Sequence, residues 1–232
     1  MNQYQDGGYL AKNPTWDVED SPWKAANVLK MLQRNHLAPS RIAEVGCGVG
    51  EILHQIYQAL PVDCSFAGYE ISSQAIELCS QRKNERLQFY LGDILEENTT
   101  TPFDLIMALD VFEHVEDYVG FLKRLHVKAE YKIFHIPLDM SVMSVMRMTP
   151  ILNARDKVGH LHYFCKETAL ATLTDTGYQI IDWFYTNGPG NRPPRLMLGR
   201  SGFADFIKGR VYRKNQDRWV RMFGGSMMVL AK

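Results

Sequence analysis

The sequence lacks net charge, a cysteine pattern and any apolar run long enough to cross a bilayer, and each absence excludes a class of protein. Its 26 basic residues balance 26 acidic ones across 232 positions, so no global attraction for nucleic acid or an anionic membrane exists, and any such attraction must be local. The four cysteines, Cys47, Cys64, Cys79 and Cys165, are scattered and none forms C-x-x-C, which argues against a disulfide framework. The opening Met-Asn-Gln-Tyr-Gln has neither the basic nor the apolar part of a signal peptide. The expectation is a cytoplasmic protein with reduced thiols and no transmembrane segment. Apolar residues, at 46%, are ample for a core, and the length suits one α/β domain with additions.

The most informative stretch is Arg41-Ile-Ala-Glu-Val-Gly-Cys-Gly-Val-Gly-Glu51. A short apolar run (Ile42, Ala43, Val45) meets glycines at 46, 48 and 50, and from Glu51 the residues Ile52, Leu53, Ile56, Tyr57 and Leu60 have helical spacing. Strand, glycine turn and helix are therefore continuous, the arrangement in which main-chain N–H groups at a helix start meet a nucleotide-like ligand. The dinucleotide fingerprint G-x-G-x-x-G would require a third glycine at position 51. Glu51 stands there, which disfavours a nicotinamide-dependent oxidoreductase.

Further along, Cys64–Glu70 reads as a second strand ending in an acid, with Ser72 capping the next helix. Leu87–Leu91 is a third strand followed by Gly92 and Asp93, Phe103–Leu109 a central fourth running into Asp110, and Tyr131–Pro137 a fifth. Strands alternating with helices predict parallel pairing with right-handed crossovers. Ligands then belong at the strands' C-terminal ends, where Glu44, Glu70, Asp93 and Asp110 all fall. A carboxylate about 20 residues past the glycine turn can accept both hydroxyl protons of a ribose, the role expected of Glu70.

In E-x-G-x-G-x-G from Glu44 to Gly50, the chain resembles the class I S-adenosylmethionine-dependent methyltransferases over roughly residues 41 to 185 and the final strand. The resemblance implies a Rossmann-like α/β fold: a seven-stranded, mostly parallel sheet with an antiparallel last strand (Ser226–Ala231) and helices on both faces. It implies S-adenosyl-L-methionine as cofactor, held by Glu44, Gly46, Cys47, Gly48, Gly50, Glu70 and Ile71, with Asp93 and Ile94 at the adenine and Leu109 and Asp110 beside them. Residues 1–40 form a lead-in with a helix that Ser21 caps and Pro22 starts; residues 41–232 form the methyltransferase domain, with insertions at 138–158 and 187–224. The methionine-rich first insertion is read either as an acceptor-pocket wall or as a plainly packed amphipathic helix.

Methyl transfer needs alignment and exclusion of water more than catalytic groups; a hydroxyl acceptor also benefits from a base with a near-neutral pKa. His114, a few residues past the central strand, is the first candidate, followed by His160 and His162 in the run His160-Leu-His-Tyr-Phe164, which resembles methyltransferases of quinone biosynthesis; His135, inside a strand, reads as core. Asp110-x-x-Glu113-His114 resembles the E-x-x-E-H run that binds a divalent metal in some quinone O-methyltransferases, but E-H-V after the fourth strand is widespread without metal, so none is expected. From Arg192 to Arg221 nine basic residues face two acidic ones. That segment is read as a solvated face, as a site for an anionic acceptor or phosphate, or as a contact with membrane or nucleic acid. The expected function is methyl transfer to a small acceptor, most simply at oxygen, with no nucleic-acid partner; the alternative is a catalytically silent S-adenosylmethionine-binding module that recruits a partner.

Overall fold

A computed structural model describes residues 13–97, 102–187 and 210–232. Seven strands, β1 (Arg41–Val45), β2 (Ser65–Glu70), β3 (Leu87–Leu91), β4 (Phe103–Leu109), β5 (Ala129–Leu138), β6 (Ile180–Tyr185) and β7 (Gly225–Ala231), make one sheet in the order β3-β2-β1-β4-β5-β7-β6. The first five pair in parallel, and β7 runs antiparallel to both β5 and β6. This is the architecture that the glycine motif and the alternation of elements imply.

The apolar runs of the parallel strands follow from burial on both faces. Along β4, Leu105, Met107 and Leu109 join the apolar cluster on one side of the sheet, and Ile106 and Ala108 the cluster on the other, as the two-residue period of a strand requires; Phe103, at the strand's first position, joins the second cluster out of that phase. Chain order reverses between β1 and β4, and at such a switch point the connections diverge to opposite faces and leave a crevice at the carboxyl ends.

The helix Ser21–Arg34 starts one residue earlier than its sequence suggests, with Asp20 in the cap position and Ser21 already helical. It inserts Ala25, Val28, Met31 and Leu32 into the cluster that holds Leu53 and Ile56 of the helix Glu51–Ala59, and Arg34 grips Asp182 of β6 with two hydrogen bonds of 2.9 Å. It is thus a layer of the main body rather than a detached leader.

Between β5 and β6 the insertion folds into the helices Val142–Arg147 and Thr149–Asn153 and a π-helical turn, Ala154–Val158. The apolar positions Phe203, Phe206, Ile207 and Val211 predict a helix in the second insertion; residues 210–214 are helical, and the part before them lies outside the described residues. A separate helix, Gln216–Phe223, begins where the Asn215 side chain accepts a hydrogen bond from the Arg218 N–H at 2.9 Å, and it packs against Val142–Arg147. Among the described residues no helix is long and apolar enough to cross a membrane.

Candidate active site

All three turn glycines take positive φ: 65° at Gly46, 54° at Gly48 and 75° at Gly50. Gly50 shows why no other residue serves, since a Cβ there would stand 2.4 Å from the Phe89 ring in a backbone region already costly for side chains. The Gly46 and Cys47 N–H groups both donate to the Tyr69 carbonyl, at 2.8 and 3.1 Å, which ties the turn to the end of β2. Glu70 completes the tie. Its carboxylate accepts from the Gly48 N–H at 3.0 Å and the Ser72 N–H at 2.9 Å. Burial raises the Glu70 pKa, and these N–H groups oppose the rise. A carboxylate has about four acceptor positions, so two backbone bonds leave Glu70 able to accept hydroxyls from the cavity it lines.

That cavity, of about 1100 Å³, lies at the carboxyl ends of the central strands and is walled by Gly46, Cys47, Gly48, Glu70, Ile71, Asp93, Leu109, Asp110, His114 and His160, among others. Ten of the fourteen site residues expected from sequence therefore meet at one place. Asp93 uses one oxygen to accept from the Leu95 N–H at 2.9 Å, and its carboxylate retains further acceptor positions.

Four expected residues sit elsewhere. Gly50 shapes the turn from behind, and Ile94 is packed in the core. The His162 ring Nε2 lies 2.9 Å from the Val115 carbonyl and the ring packs on Tyr118, centroids 4.4 Å apart, so it clamps a loop instead of facing the cavity. Glu44 is buried beneath the turn, with Oε2 lacking a hydrogen-bond partner among the described residues. Burial pushes its pKa up to about 8, against the pull of Lys24, so at neutral pH it is mostly a neutral acid.

Asp110 occupies the left-handed region, φ 57°, a strained conformation that its surroundings enforce. Lys24 reaches it from the N-terminal helix at 2.7 Å and His135 Nδ1 from β5 at 2.6 Å. Burial would raise the Asp110 carboxyl, but these two neighbours together hold it well below the usual range. His135 Nε2 continues to Thr186 Oγ1 at 2.9 Å, and Thr186 to Ser226 Oγ at 2.8 Å. His135 is therefore buried as its strand position suggests, yet it also lines the cavity as one link in a polar chain.

Across the cavity the His114 and His160 rings stand edge to face, centroids 4.9 Å apart. His160 Nδ1 donates to Asp139 at 2.5 Å, and His114 Nδ1 donates to the Gly159 carbonyl at 3.1 Å. The His160 assignment leaves its Nε2 lone pair available. Burial and the neighbouring His160 lower the His114 pKa to about 4, so it is neutral at pH 7. Glu113 is completely buried, with neither carboxylate oxygen hydrogen-bonded among the described residues and Oε1 3.9 Å from His114 Nε2; burial and the negative Asp110 push its pKa well up. One ligand atom from each of Glu113, His114 and His160 lies within 4.8 Å of the others, a set able to hold a divalent ion.

Sequence reading missed Asp139 and Lys24 as members of the site. Asp139 follows the end of β5 as Glu70 ends β2, so the same rule could have found it. Lys24 carries no comparable signal, because only the packing of its helix brings it over the cavity.

Residues 43–129 match the sequence profile of a methyltransferase domain family. The mitochondrial ubiquinone biosynthesis O-methyltransferase of Schizosaccharomyces pombe is 30% identical over 104 residues, which cover 42% of this chain and 37% of that protein; the match spans little more than a third of the relative's length. Among solved structures, the N-methyltransferase NodS of Bradyrhizobium japonicum, with bound S-adenosyl-L-homocysteine, aligns with TM-score 0.61 and 18% identity over 100% of this chain and 98% of its own. Magnesium protoporphyrin IX methyltransferase of Synechocystis, also with bound S-adenosylhomocysteine, aligns with TM-score 0.59 and 15% identity over 91% and 83%. A methyltransferase of Archaeoglobus fulgidus aligns with TM-score 0.59 and 19% identity over 90% and 94%. At these identities the likeness concerns the fold, which is that of S-adenosylmethionine-dependent methyltransferases.

Proposed function

We propose that the protein transfers the methyl group of S-adenosylmethionine to a hydroxyl oxygen of a small acceptor. One observation carries this reading: the glycine turn, Glu70 and Asp93 line one side of a cavity whose other side presents the Asp139–His160 pair and His114. The cofactor, when bound, supplies an electrophilic methyl on a sulfonium. Glu70 would take the ribose hydroxyls and Asp93 the adenine amine. The cavity walls also carry Asp110 and Asp139, which suits a cationic ligand.

As the acceptor oxygen attacks, its proton must leave. His160 is the better base, because Asp139 fixes its orientation and stabilises the imidazolium that forms. His114, with a pKa near 4, is a weak base that lines the cavity beside it. Glu113, His114 and His160 are the residues that would hold a divalent cation, and such an ion would supply Lewis-acid activation of the acceptor as a second mode. Asp110 is outside that set, since Lys24 and His135 occupy its carboxylate. Arg155 at the cavity wall is the group that would meet an anionic acceptor.

Calorimetric titration with S-adenosylhomocysteine, followed by transfer of a labelled methyl group to a panel of phenols, carboxylates, amines and sugars, tests the proposal. Saturable binding with labelled phenol is expected. Absence of binding at millimolar ligand overturns it, and tight binding with no labelled product favours the silent module.

A further inference from the structure

The polar chain behind the cavity has a direction. Asp110 gives one carboxylate oxygen to Lys24 Nζ at 2.7 Å and the other to His135 Nδ1 at 2.6 Å, and an ionised carboxylate only accepts. His135 Nδ1 therefore holds its proton toward Asp110, and the neutral ring accepts at Nε2. Thr186 Oγ1, 2.9 Å away, is the group that donates there. With its one proton committed, Thr186 accepts in turn from Ser226 Oγ at 2.8 Å. Every proton of the chain points inward, so Ser226, which lines the cavity, has only lone pairs left to offer a ligand.

The strands do not need this chain to hold together. The Thr186 N–H already donates to the Ser226 carbonyl at 3.0 Å, and Pro137 pairs with Ser226 across β5 and β7. His135, Thr186 and Ser226 are nevertheless buried, beside the fully buried Ile136 and Met227, where polar groups cost free energy unless each is bonded. The N-terminal helix clamps the far end twice, through Lys24 on Asp110 and through the Trp23 ring, which stands edge to face on His135 with centroids 5.6 Å apart. What the chain adds is a hydroxyl of fixed polarity on the cavity wall, its bonds polarising one another away from water.

We propose that Ser226 selects the acceptor, by accepting a hydrogen bond from an O–H or N–H group that the acceptor carries in addition to its methylated hydroxyl. A carbonyl or ether at the same place is rejected, because its lone pairs would face those of Ser226 with no proton between them. His160 and Ser226 then hold the acceptor at two points, which fixes its orientation toward the methyl group. Calling the ligand an acceptor rests on the methyl-transfer reading above; the donor-selecting wall does not.

The test uses the full chain, isotopically labelled at its histidine nitrogens, with three neutral probes of similar shape: phenol, which donates, and anisole and acetophenone, which only accept. Phenol is expected to bind more tightly than either by roughly threefold to tenfold and to shift the His135 ring signals, which anisole leaves in place. Ser226→Ala should remove both the preference and the shift, and Ser226→Thr should restore them. Thr186→Val releases the Ser226 proton toward the cavity, so phenol should weaken and acetophenone gain, an exchange that a purely structural hydroxyl does not produce. Equal affinity for the three probes in the native chain, or an unchanged preference in Ser226→Ala, overturns the proposal. Equal weakening of all three probes in both Ser226→Ala and Thr186→Val, with a lower Tm, also overturns it and leaves the chain as a tie between strands. Titration of the native chain with S-adenosylhomocysteine separates the two readings: a phenol preference without cofactor binding counts against methyl transfer alone, and cofactor binding without the preference counts against the donor-selecting wall alone.

Discussion

The rim made by β1, β2 and β3 and the rim made by the ends of β4 and β5 place polar groups around the same cavity by different means. On the first rim, short loops hold everything: the glycine turn bonds to Tyr69 and Glu70, one strand away, and Glu70 is fixed by the backbone of Gly48 and Ser72. On the second, side chains hold one another across long sequence separations, as in Asp139 with His160 and Lys24 with Asp110. The first rim is a backbone device that tolerates almost no change of residue type. The second is a set of exchangeable side chains on a shared frame, the arrangement expected where one fold accepts many substrates.

If the division is real, changes on the second rim should alter turnover and leave cofactor binding alone. The largest effect is expected from His160→Ala, which should lower kcat by about 10²–10⁴-fold with the S-adenosylhomocysteine affinity unchanged. Asp139→Asn should give a smaller loss of kcat, again with S-adenosylhomocysteine affinity unchanged in calorimetry. Equal losses of affinity and turnover would erase the distinction between the rims.

Gly50→Ala should strike the first rim through its backbone. The overlap with Phe89 costs about 1–3 kcal/mol and the left-handed conformation about 1 kcal/mol more, read as a lower Tm together with weaker cofactor binding. Glu70→Ala should leave folding nearer normal and weaken S-adenosylhomocysteine by roughly 10- to 100-fold, as loss of charge-assisted hydrogen bonds worth about 1.5–3 kcal/mol implies. Undiminished affinity in calorimetry would remove Glu70 from the cofactor site.

The smallest effect concerns pH. Glu44 has its pKa raised from 4.5 to about 8 in the fold, so the unfolded chain releases that proton first, and stability falls as pH rises from about 4.5 to 8. His114, lowered from 6.5 to about 4, acts oppositely: its contribution is full above 6.5 and is lost as pH falls through 4. The two slopes offset each other between 4.5 and 6.5. From 6.5 to 8 the Glu44 slope stands alone for this pair, and thermal melts of Glu44→Gln should be flatter there than those of the native chain. Identical slopes would show that Glu44 is ionised in the fold.

Much of the first rim was legible because its instructions are local. Three alternating glycines, an acid at the end of a strand and a serine cap each state a backbone geometry within a few residues. The same rule placed Asp110 at the cavity but said nothing of its partners. His162 shares a run with His160, yet two residues on, its ring turns to Val115 and Tyr118; spacing alone does not separate the two. Glu44 belongs to the motif by position, but its depth beneath the turn, and therefore its protonation, is a product of packing.

The sequence by itself determined the order of elements, the sheet and the glycine turn, since period, glycine placement and capping act through nearest neighbours along the chain. Only the tertiary structure decided that Lys24 covers Asp110, that Asp139 orients His160, that Glu113 lies buried between two histidines, and that the methionines of the insertion face outward. Those outcomes depend on distances between segments and on how far water is excluded, and both are set by packing that no single segment encodes.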